Sequence, residues 1–465
     1  MRNPEFLMSG TAGEAVDTES PEFQAKGRRA LGAAMYGFFT DMYDVYLPVI
    51  VLAPAMVYFS ASGTSGVEMA VFTTLIFVAS IIGRPLGSLI FGPMGDTLGR
   101  RKITLIAAAG SAVCTGAMVL LPGYSTLGIW ALVMLVILRL LDGVFLGGEY
   151  SAANPLAMEY TRRERRGIAG SLINTGYPLA LATITVVTIV TMRILPVGDA
   201  TSAYAVWGWR IPFVIGFILC SSLFFYYLHA VPESEIWTKM PKQGGNPLKK
   251  LFSRAIAPSF GVAFLVGTGA WLVLNGTVGM FSSHFRRLEV TDGTINTILV
   301  VSALIGAALF PIVGAAGQRF GRREVIMTIG VLCLVVGTTA TALAIGSVDS
   351  GTFVLLGILA ILPGLTIWAM ITAFLMELFP TSVRASGYGL AYSLPSVLPA
   401  FYGYFMVWLG TSVMNYDYTP VVVSGLGALC LIVGGYIAKD LRHVNLDDVS
   451  APADQVRASG VSIDS

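Results

Sequence analysis

Long apolar runs alternate with short polar connections along almost the whole chain. A helix needs about 20 mostly apolar residues to cross a hydrocarbon core of about 30 Å. Of the residues, 55% are hydrophobic and only 12% are charged, about half the charged share of a soluble protein. The pattern therefore predicts an all-α membrane protein with twelve transmembrane helices, at residues 29–59, 68–93, 103–122, 127–150, 166–193, 207–230, 255–285, 293–317, 324–346, 351–378, 384–410 and 416–438.

Lysine and arginine cluster in every second connection. Basic residues follow the second, fourth, sixth and eighth runs, whereas the connections on the other side hold almost none. Positive charge is enriched in the cytoplasmic loops of membrane proteins. We therefore expect both termini to be cytoplasmic, with residues 1–28 as one tail and residues 439–465, which show no periodicity, as a second, disordered tail.

Two loops are repeated at nearly the same distance. The segment GPMGDTLGRR at 92–101 matches GAAGQRFGRR at 314–323, and Met158-Glu159 followed by Arg166 matches Met376-Glu377 followed by Arg384. Internal repeats of this kind are typical of transporters built from two related halves, with the substrate site between the halves near the midplane. We predict two six-helix halves, 29–230 and 255–438, joined by a basic cytoplasmic linker at 231–254.

The first apolar run carries two acids. Asp41 lies 12 residues after Arg29, or about 18 Å into the membrane at about 1.5 Å per residue. Asp44 follows one turn later. A carboxylate at that depth costs at least about 2.5–3.5 kcal/mol unless it is protonated, paired or hydrated. Such groups indicate a transporter in which a buried carboxyl group gains and loses its charge.

The fourth run carries a further charged pair at a similar depth. Arg139 lies 12 residues after Leu127, and Asp142 is one turn further on. In one interpretation these charges form a static ion pair that only pins helices together. In the other, which we favour, Arg139 offers its planar fork to a substrate carboxylate. An acid that competes with the substrate for Arg139, and that releases Arg139 when it is protonated, couples proton binding to substrate binding. The candidates for that acid, in order, are Asp41, Asp142 and Asp44.

The second half carries almost no charge within its runs. Its candidates for substrate contact are polar and aromatic, although most Trp and Tyr residues in membrane proteins serve packing or interfacial belts. A site that is charged on one side and aromatic on the other suits a small organic acid. The predicted substrate-binding residues, beside Arg139, are Tyr43, Trp271, Asn275, Trp368, Tyr388 and Tyr392.

These segments also carry a family resemblance. The loop GPMGDTLGRRK at 92–102 resembles the signature of the major facilitator superfamily, with Thr97 as a departure from it. Three stretches resemble its metabolite:proton symporter group: GRPLGSLIFGPMGD at 83–96, LRLLDGVFLGGEYSAANPLAMEY at 138–160 and WGWRIPF at 207–213. GFFTDMYD at 37–44 also resembles phosphate:proton symporters, and VPESEIW at 231–237 resembles sugar porters.

The resemblance implies charge clusters at the cytoplasmic helix ends. These clusters keep the cytoplasmic side closed in the outward-facing state. The alternative is ordinary solvated loop charge. Glu149 is expected near the cytoplasmic edge, about 33 Å from Leu127 by helical rise. Arg84, in the second run, either pairs with an acid or serves a lower gate. The predicted gating residues are Asp96, Arg100, Arg101, Glu149, Glu159, Arg166, Arg322, Glu377 and Arg384.

Other functional classes lack support in the sequence. The chain has three histidines, no metal-ligand spacing and no nucleophile or phosphate-loop motif, so we predict neither an enzyme nor a metal site. The expected function is proton-coupled symport of a monocarboxylate or dicarboxylate by alternating access. Alternatives are a zwitterionic osmolyte, phosphate or a sugar as substrate, or uncoupled facilitation or exchange. We expect a monomer in the cell membrane, with the proton as coupling ion, no other cofactor and no nucleic-acid partner.

Overall fold

The computed structural model describes residues 20–239, 245–347, 349–444 and 446. This part of the chain contains twelve helices that are long and apolar enough to cross a membrane, which confirms the predicted number and order. We number them as spans 1 to 12. Their bounds are Pro21–Phe59, Val71–Leu98, Arg100–Val119, Trp130–Glu159, Arg163–Ile194, Tyr204–Ala230, Ala257–Arg287, Gly293–Phe320, Arg322–Ile345, Gly351–Leu378, Thr381–Ser412 and Tyr416–Ile437.

Several helices extend beyond their apolar runs. Span 1 begins at Pro21 and not at residue 29, because Ser20 caps the helix by accepting a hydrogen bond from the Phe23 amide at 3.2 Å, and Pro21 suits the first helical position. Span 4 likewise continues to Glu159. The side that carries the connections after spans 2 and 4 is called the cytoplasmic side below, as the charge distribution predicts.

The predicted tails are only partly described. Residues 1–19 and 447–465 lie outside the described residues. The prediction of a disordered tail is wrong for the part just after span 12. Leu441, Val444 and Leu446 are buried there, and the backbone carbonyl of Leu446 accepts hydrogen bonds from Thr381 and Arg384. Packing against the cytoplasmic helix ends orders a segment that has no periodicity of its own.

Spans 1 and 7 are both interrupted at a corresponding place. Span 1 widens into a π-helical segment at Leu47–Leu52. The segment contains Pro48 and is followed by Pro54, and neither proline has a backbone N–H to donate. Span 7 has a π-helical segment at Asn275–Gly279. Such segments are frequent at functional sites, and discontinuous helices in corresponding positions of two halves are typical of transporters.

Spans 2 and 4 pack with unusually close backbones. A Cβ atom added to Gly147 would overlap the carbonyl of Arg84, and one added to Gly87 would overlap the carbonyl of Val144. Small residues permit such close packing of membrane helices. The contact places the backbone of Arg84 directly beside the GGEY segment of span 4.

The two halves meet mainly through spans 2 and 11 and through spans 5, 8 and 10. At the cytoplasmic ends, backbone lies close to backbone, because a Cβ on Gly167 would overlap the carbonyl of Gly314 and one on Gly92 would lie 2.9 Å from the Cα of Ser386. This side of the molecule is therefore closed in the structure, and the candidate site lies above that closure.

Candidate functional site

Arg139 is held inside the first half through both of its terminal nitrogens, whereas its Nε has no hydrogen-bond partner among the described residues. Its Nη1 lies 2.7 Å from Asp44 Oδ2 and 3.3 Å from Asp142 Oδ2, and its Nη2 donates to the Asp44 carbonyl at 3.1 Å. Thr115 and Ser111 of span 3 donate to Asp44 Oδ1 at 3.1 Å and to Asp142 Oδ1 at 2.8 Å. We call Asp44, Arg139 and Asp142 the arginine triad. All three side chains are fully buried, which favours the static interpretation and leaves Arg139 no surface for a substrate.

Asp41 has a different partner from Asp44. Its carboxyl lies within hydrogen-bonding reach of the carboxyl of Glu149 in span 4. Gly37, one turn before Asp41, makes room for Glu149, since a Cβ there would lie 2.5 Å from Glu149 Oε1. Asp41 Oδ2 and Glu149 Oε1 are both buried, and no donor to them is found within the described ranges. We call these two residues the acid pair.

The position of Glu149 corrects the prediction that placed it at the cytoplasmic edge. That prediction measured depth from Leu127 and took the end of the apolar run as the end of the helix. The helix of span 4 begins at Trp130 and runs past Glu149 to Glu159. Glu149 consequently lies level with Asp41, above the charges of the cytoplasmic helix ends.

Arg84 is the buried cation that faces the acid pair. It is 1% exposed, and its three guanidinium nitrogens have no hydrogen-bond partner among the residues that the structure describes. Its charge acts on Asp41, Tyr150 and Tyr392, which lie around it. No ion pair of Arg84 occurs within this part of the chain, although the side chains that feel its charge come from both halves, Asp41 and Tyr150 from the first and Tyr392 from the second.

Aromatic side chains of the second half form a wall opposite these charges. The rings of Trp271 and Trp368 are 4.8 Å apart between centroids, and Trp368 and Tyr392 are 5.8 Å apart. Tyr392 also contacts Tyr150 of span 4 at 4.9 Å and Phe38 of span 1 at 6.2 Å. With Tyr388, which stacks on Tyr392 at 6.1 Å, four of the predicted substrate residues meet as one surface. We call Trp271, Trp368, Tyr388 and Tyr392 the aromatic wall.

Two predicted substrate residues lie elsewhere. Asn275 donates to the Pro399 carbonyl at 3.0 Å and joins the interrupted segment of span 7 to span 11. Tyr43 donates to the Pro212 carbonyl in span 6 at 3.2 Å. Both contacts lie inside one half, so these polar atoms are occupied by helix packing.

Two amides of the first half hold the aromatic wall in place. Asn154 donates to the Tyr388 hydroxyl at 2.7 Å, and Asn174 donates to the Trp368 carbonyl at 2.5 Å. Thr372 donates to Asn174 Oδ1 at 2.9 Å. Sequence reasoning missed Asn154 and Asn174, although an amide within an apolar span is itself a signal for an interhelical hydrogen bond. These contacts join the halves just below the aromatic wall.

The cytoplasmic cluster consists of Asp96, Arg100, Glu159 and Arg384. Glu159 pairs with Arg100 and with Arg384 of the other half, each at 2.9 Å, and Arg100 pairs with Asp96 at 3.1 Å. Asp96 also accepts hydrogen bonds from the Ala385 and Ser386 amides and the Ser386 hydroxyl at the start of span 11. This geometry suits the predicted gating role of these four residues.

The remaining predicted gating residues make different contacts. Arg322 pairs with Glu377 at 2.9 Å within the second half, and Arg101 donates to carbonyls at the end of span 6. Arg166 donates to the Val444 carbonyl at 2.6 Å and thereby holds the segment after span 12. Gln318 stands where the repeat places Asp96, and it accepts from the Gly167 amide at 3.1 Å.

Comparisons with known proteins agree on a transport fold. The family model described as "Sugar (and other) transporter" matches residues 29–254. The proline/betaine transporter of Escherichia coli (strain K12) is 27% identical over 433 residues, 88% of this chain and 83% of the relative. The citrate-proton symporter of Klebsiella pneumoniae is 27% identical over 389 residues, 82% and 84% of the two chains. A solved structure of the major facilitator superfamily proton:xylose symporter XylE has a TM-score of 0.70 at 16% identity and covers 92% of this chain and 98% of its own.

Proposed function

Because this chain belongs to the major facilitator superfamily, we propose that it is a symporter that takes up a small solute with a carboxylate group, and that Arg84 binds this carboxylate. The chain is a multi-pass plasma-membrane transporter, and relatives whose names include a proton symporter support the proposal that it is coupled to protons. Substrate sites in folds with two repeated halves lie at the interface near the midplane. Arg84, the acid pair and the aromatic wall occupy that interface in one chain, so we propose a monomer with the proton as its coupling ion and no further cofactor.

The observation that carries the proposal is the buried guanidinium of Arg84. Removing a charged group from water costs several kcal/mol after relaxation, and an anionic partner offsets this cost. Arg84 has no hydrogen-bonded partner in the described chain. A guanidinium presents parallel N–H donors that match a carboxylate. Because Arg139 is already engaged, the role that the sequence suggested for Arg139 moves to Arg84.

Two classes of carboxylate fit the surroundings of Arg84. A small organic acid would place an apolar or hydroxylated body against the aromatic wall. A zwitterionic osmolyte would place its ammonium group near the rings and the acid pair, because cations bind aromatic faces with about 0.5–2 kcal/mol. Relatives with each kind of substrate in their names, citrate and proline/betaine, support keeping both. Phosphate fits less well, because the aromatic wall offers few polar donors.

The test uses purified, reconstituted protein. Thermal-shift measurements with lactate, citrate and glycine betaine identify a probe that binds, and uptake of the radiolabelled probe is measured with and without an inward proton gradient. Losing charge-assisted hydrogen bonds worth about 1.5–3 kcal/mol predicts that Arg84→Gln weakens binding about 10- to 150-fold. The amide analogue of the probe should bind no better to the wild type than the probe binds to the variant.

Arg193→Gln is the matched control, since Arg193 is exposed at the outer end of span 5. It should leave affinity unchanged. Unaltered affinity in Arg84→Gln would refute the assignment of Arg84. Uptake that ignores the gradient would favour an uncoupled facilitator.

A further inference from the structure

We propose that four residues where the aromatic wall meets the first half form an uncharged gate, and that this gate couples the shape of the wall to closure of the cytoplasmic side. We call Asn154, Asn174, Thr372 and Tyr388 the amide gate. The inference rests on the proposed function, because it assigns positioning residues to the same substrate site.

The amide gate lies between the substrate site and the cytoplasmic cluster. Along span 4, Asn154 is five residues after Glu149 and five residues before Glu159, or about 7–8 Å from each at about 1.5 Å per residue. In span 11, Tyr388 stands one turn before Tyr392 of the aromatic wall. A substrate that leaves the site toward the cytoplasm therefore passes the amide gate.

A single chain of hydrogen bonds runs through the gate. Asn154 Nδ2 donates to the Tyr388 hydroxyl at 2.7 Å, and the Thr372 hydroxyl donates to Asn174 Oδ1 at 2.9 Å. Because Thr372 has only one proton to donate, the contact of 3.1 Å between Tyr388 and Thr372 is a bond that Tyr388 donates. Asn174 Nδ2 donates to the Trp368 carbonyl at 2.5 Å. Three of these four bonds join the two halves, and each side chain of the gate is at most 1% exposed.

The internal repeat explains why the halves meet at this point. Asn154 and Thr372 are 218 residues apart, the interval that also separates Met158 from Met376, so they occupy equivalent positions in spans 4 and 10. Both form hydrogen bonds with the Tyr388 hydroxyl. Equivalent positions of two parallel halves are related by an axis along the membrane normal. Their shared partner therefore lies at the centre of the interface.

An uncharged polar contact of this kind can open at low cost. When the halves separate, each gate residue exchanges its protein partner for water, so the net loss for each hydrogen bond is small. An apolar contact would instead expose its surface to water, which is unfavourable in proportion to the exposed area. The amide gate is therefore a contact that can form and break in every transport cycle.

Two members of the aromatic wall are held by the gate. The Tyr388 hydroxyl accepts from Asn154, and the Tyr388 ring stacks on Tyr392 at 6.1 Å. The Trp368 carbonyl accepts from Asn174. When the gate opens, both wall residues lose their partners in the first half, and the wall loses the arrangement that faces the substrate. Closure of the cytoplasmic side thus favours substrate binding, and opening favours release.

The first test needs no substrate. Nitroxide labels are attached at Leu98→Cys and Phe320→Cys in a protein without the four native cysteines. These side chains are 50% and 61% exposed at the cytoplasmic ends of spans 2 and 8, one in each half. Electron–electron dipolar distances between the labels in the reconstituted protein give the ratio of open to closed molecules.

Tyr388→Phe keeps the ring and leaves the Asn154 amide buried without an acceptor when the gate is closed. We expect the ratio of open to closed molecules to rise about 5- to 150-fold, as for an unsatisfied buried donor. Adding Asn154→Leu removes this donor and creates an apolar contact, so the ratio should return to the wild-type value or fall below it. Tyr402→Phe is the matched control in span 11 and should leave the ratio unchanged, because the Tyr402 hydroxyl donates to the Gly279 carbonyl at 3.0 Å inside the second half.

Three outcomes would refute the gate. The first is a ratio in Tyr388→Phe within twofold of the wild type. The second is an equal rise in Tyr402→Phe, which would show that loss of either tyrosine hydroxyl loosens the protein. The third is a double variant that stays as open as Tyr388→Phe.

The second test adds the probe that binds among lactate, citrate and glycine betaine. Asp96→Asn should also favour the open state, but it leaves the amide gate intact, so saturating probe should return it to the shorter distance. Tyr388→Phe has lost the bond between the first half and the ring and should return far less. Equal return in both variants, or no return in Asp96→Asn, would overturn the coupling to the aromatic wall. Failure of every probe to bind the wild type would count against the proposed function, and the first test would still decide the gate.

Discussion

Asp96→Asn is the variant that most directly tests the closure of the cytoplasmic side. The Asp96 carboxylate joins the halves by accepting from the Ala385 amide at 2.9 Å, the Ser386 amide at 3.0 Å and the Ser386 hydroxyl at 2.7 Å. These donors stand at the start of span 11, where a helix N-terminus favours negative charge. The variant keeps the size of the side chain and removes its charge, so the inward-open state should become more populated.

The magnitude follows from the number of bonds. In the variant the remaining oxygen accepts from the Ala385 amide as a neutral acceptor, at a loss of about 1 kcal/mol. The NH2 group that replaces the second oxygen cannot accept from the Ser386 amide, so that bond of about 1.5–3 kcal/mol is lost. Loss of the charge at the helix N-terminus adds about 0.3–1 kcal/mol. The total of about 3–5 kcal/mol corresponds to a roughly 150- to 4000-fold higher ratio of inward-open to inward-closed molecules.

Thiol labelling measures this ratio. Ser171 is fully buried where span 5 meets span 8, so Ser171→Cys in a background without the four native cysteines reports opening of the cytoplasmic side. A membrane-impermeant maleimide added from that side should react faster in Asp96→Asn, in proportion to the open population. A change smaller than about threefold, below about 0.7 kcal/mol, would refute the reasoning.

Gln318 supplies the matched comparison. It occupies the repeated position in the second half, and its neutral oxygen accepts from the Gly167 amide at 3.1 Å and from Arg322 Nη2 at 2.8 Å. Gln318→Glu keeps the length of the side chain and adds a negative charge, so it should strengthen the contact at the start of span 5 and slow the labelling of the same thiol. Faster labelling in this variant would show that charge at the repeated position does not favour closure.

Two further changes have expected outcomes. Asp44→Ala leaves the buried Arg139 guanidinium with a single carboxylate and should lower the free energy of unfolding by about 3–5 kcal/mol. The thermal unfolding midpoint in detergent measures this loss, with Thr115→Val as the milder control. An unchanged midpoint would contradict the structural role of the arginine triad. Leu446→Asp places a charge at a residue that is 1% exposed, so it should release the segment after span 12 and speed labelling at Ser171→Cys, whereas unchanged labelling would mean that this segment does not contribute to closure.

The sequence predictions agree with the structure for those features that depend on local sequence. The twelve spans could be predicted because length and apolar composition are local properties. Charge clusters at the cytoplasmic helix ends are implied by the family resemblance, and the structure brings Asp96, Arg100, Glu159 and Arg384 into one such cluster. The contacts of Arg139 could not be predicted, because depth along a helix says nothing about the direction in which a side chain points.

The sequence by itself determined the membrane topology in outline, the duplication of the two halves and the presence of buried charge near the midplane. The tertiary structure decided which charge meets which. Asp41 and Asp44 are three residues apart and so differ by about 60° around the helix axis, at 3.6 residues per turn. That rotation directs Asp44 toward Arg139 and span 3, and Asp41 toward Glu149. The close packing of spans 2 and 4 at Gly147 then sets Arg84 beside the acid pair, an arrangement that depends on residues far apart in the chain and on no local pattern.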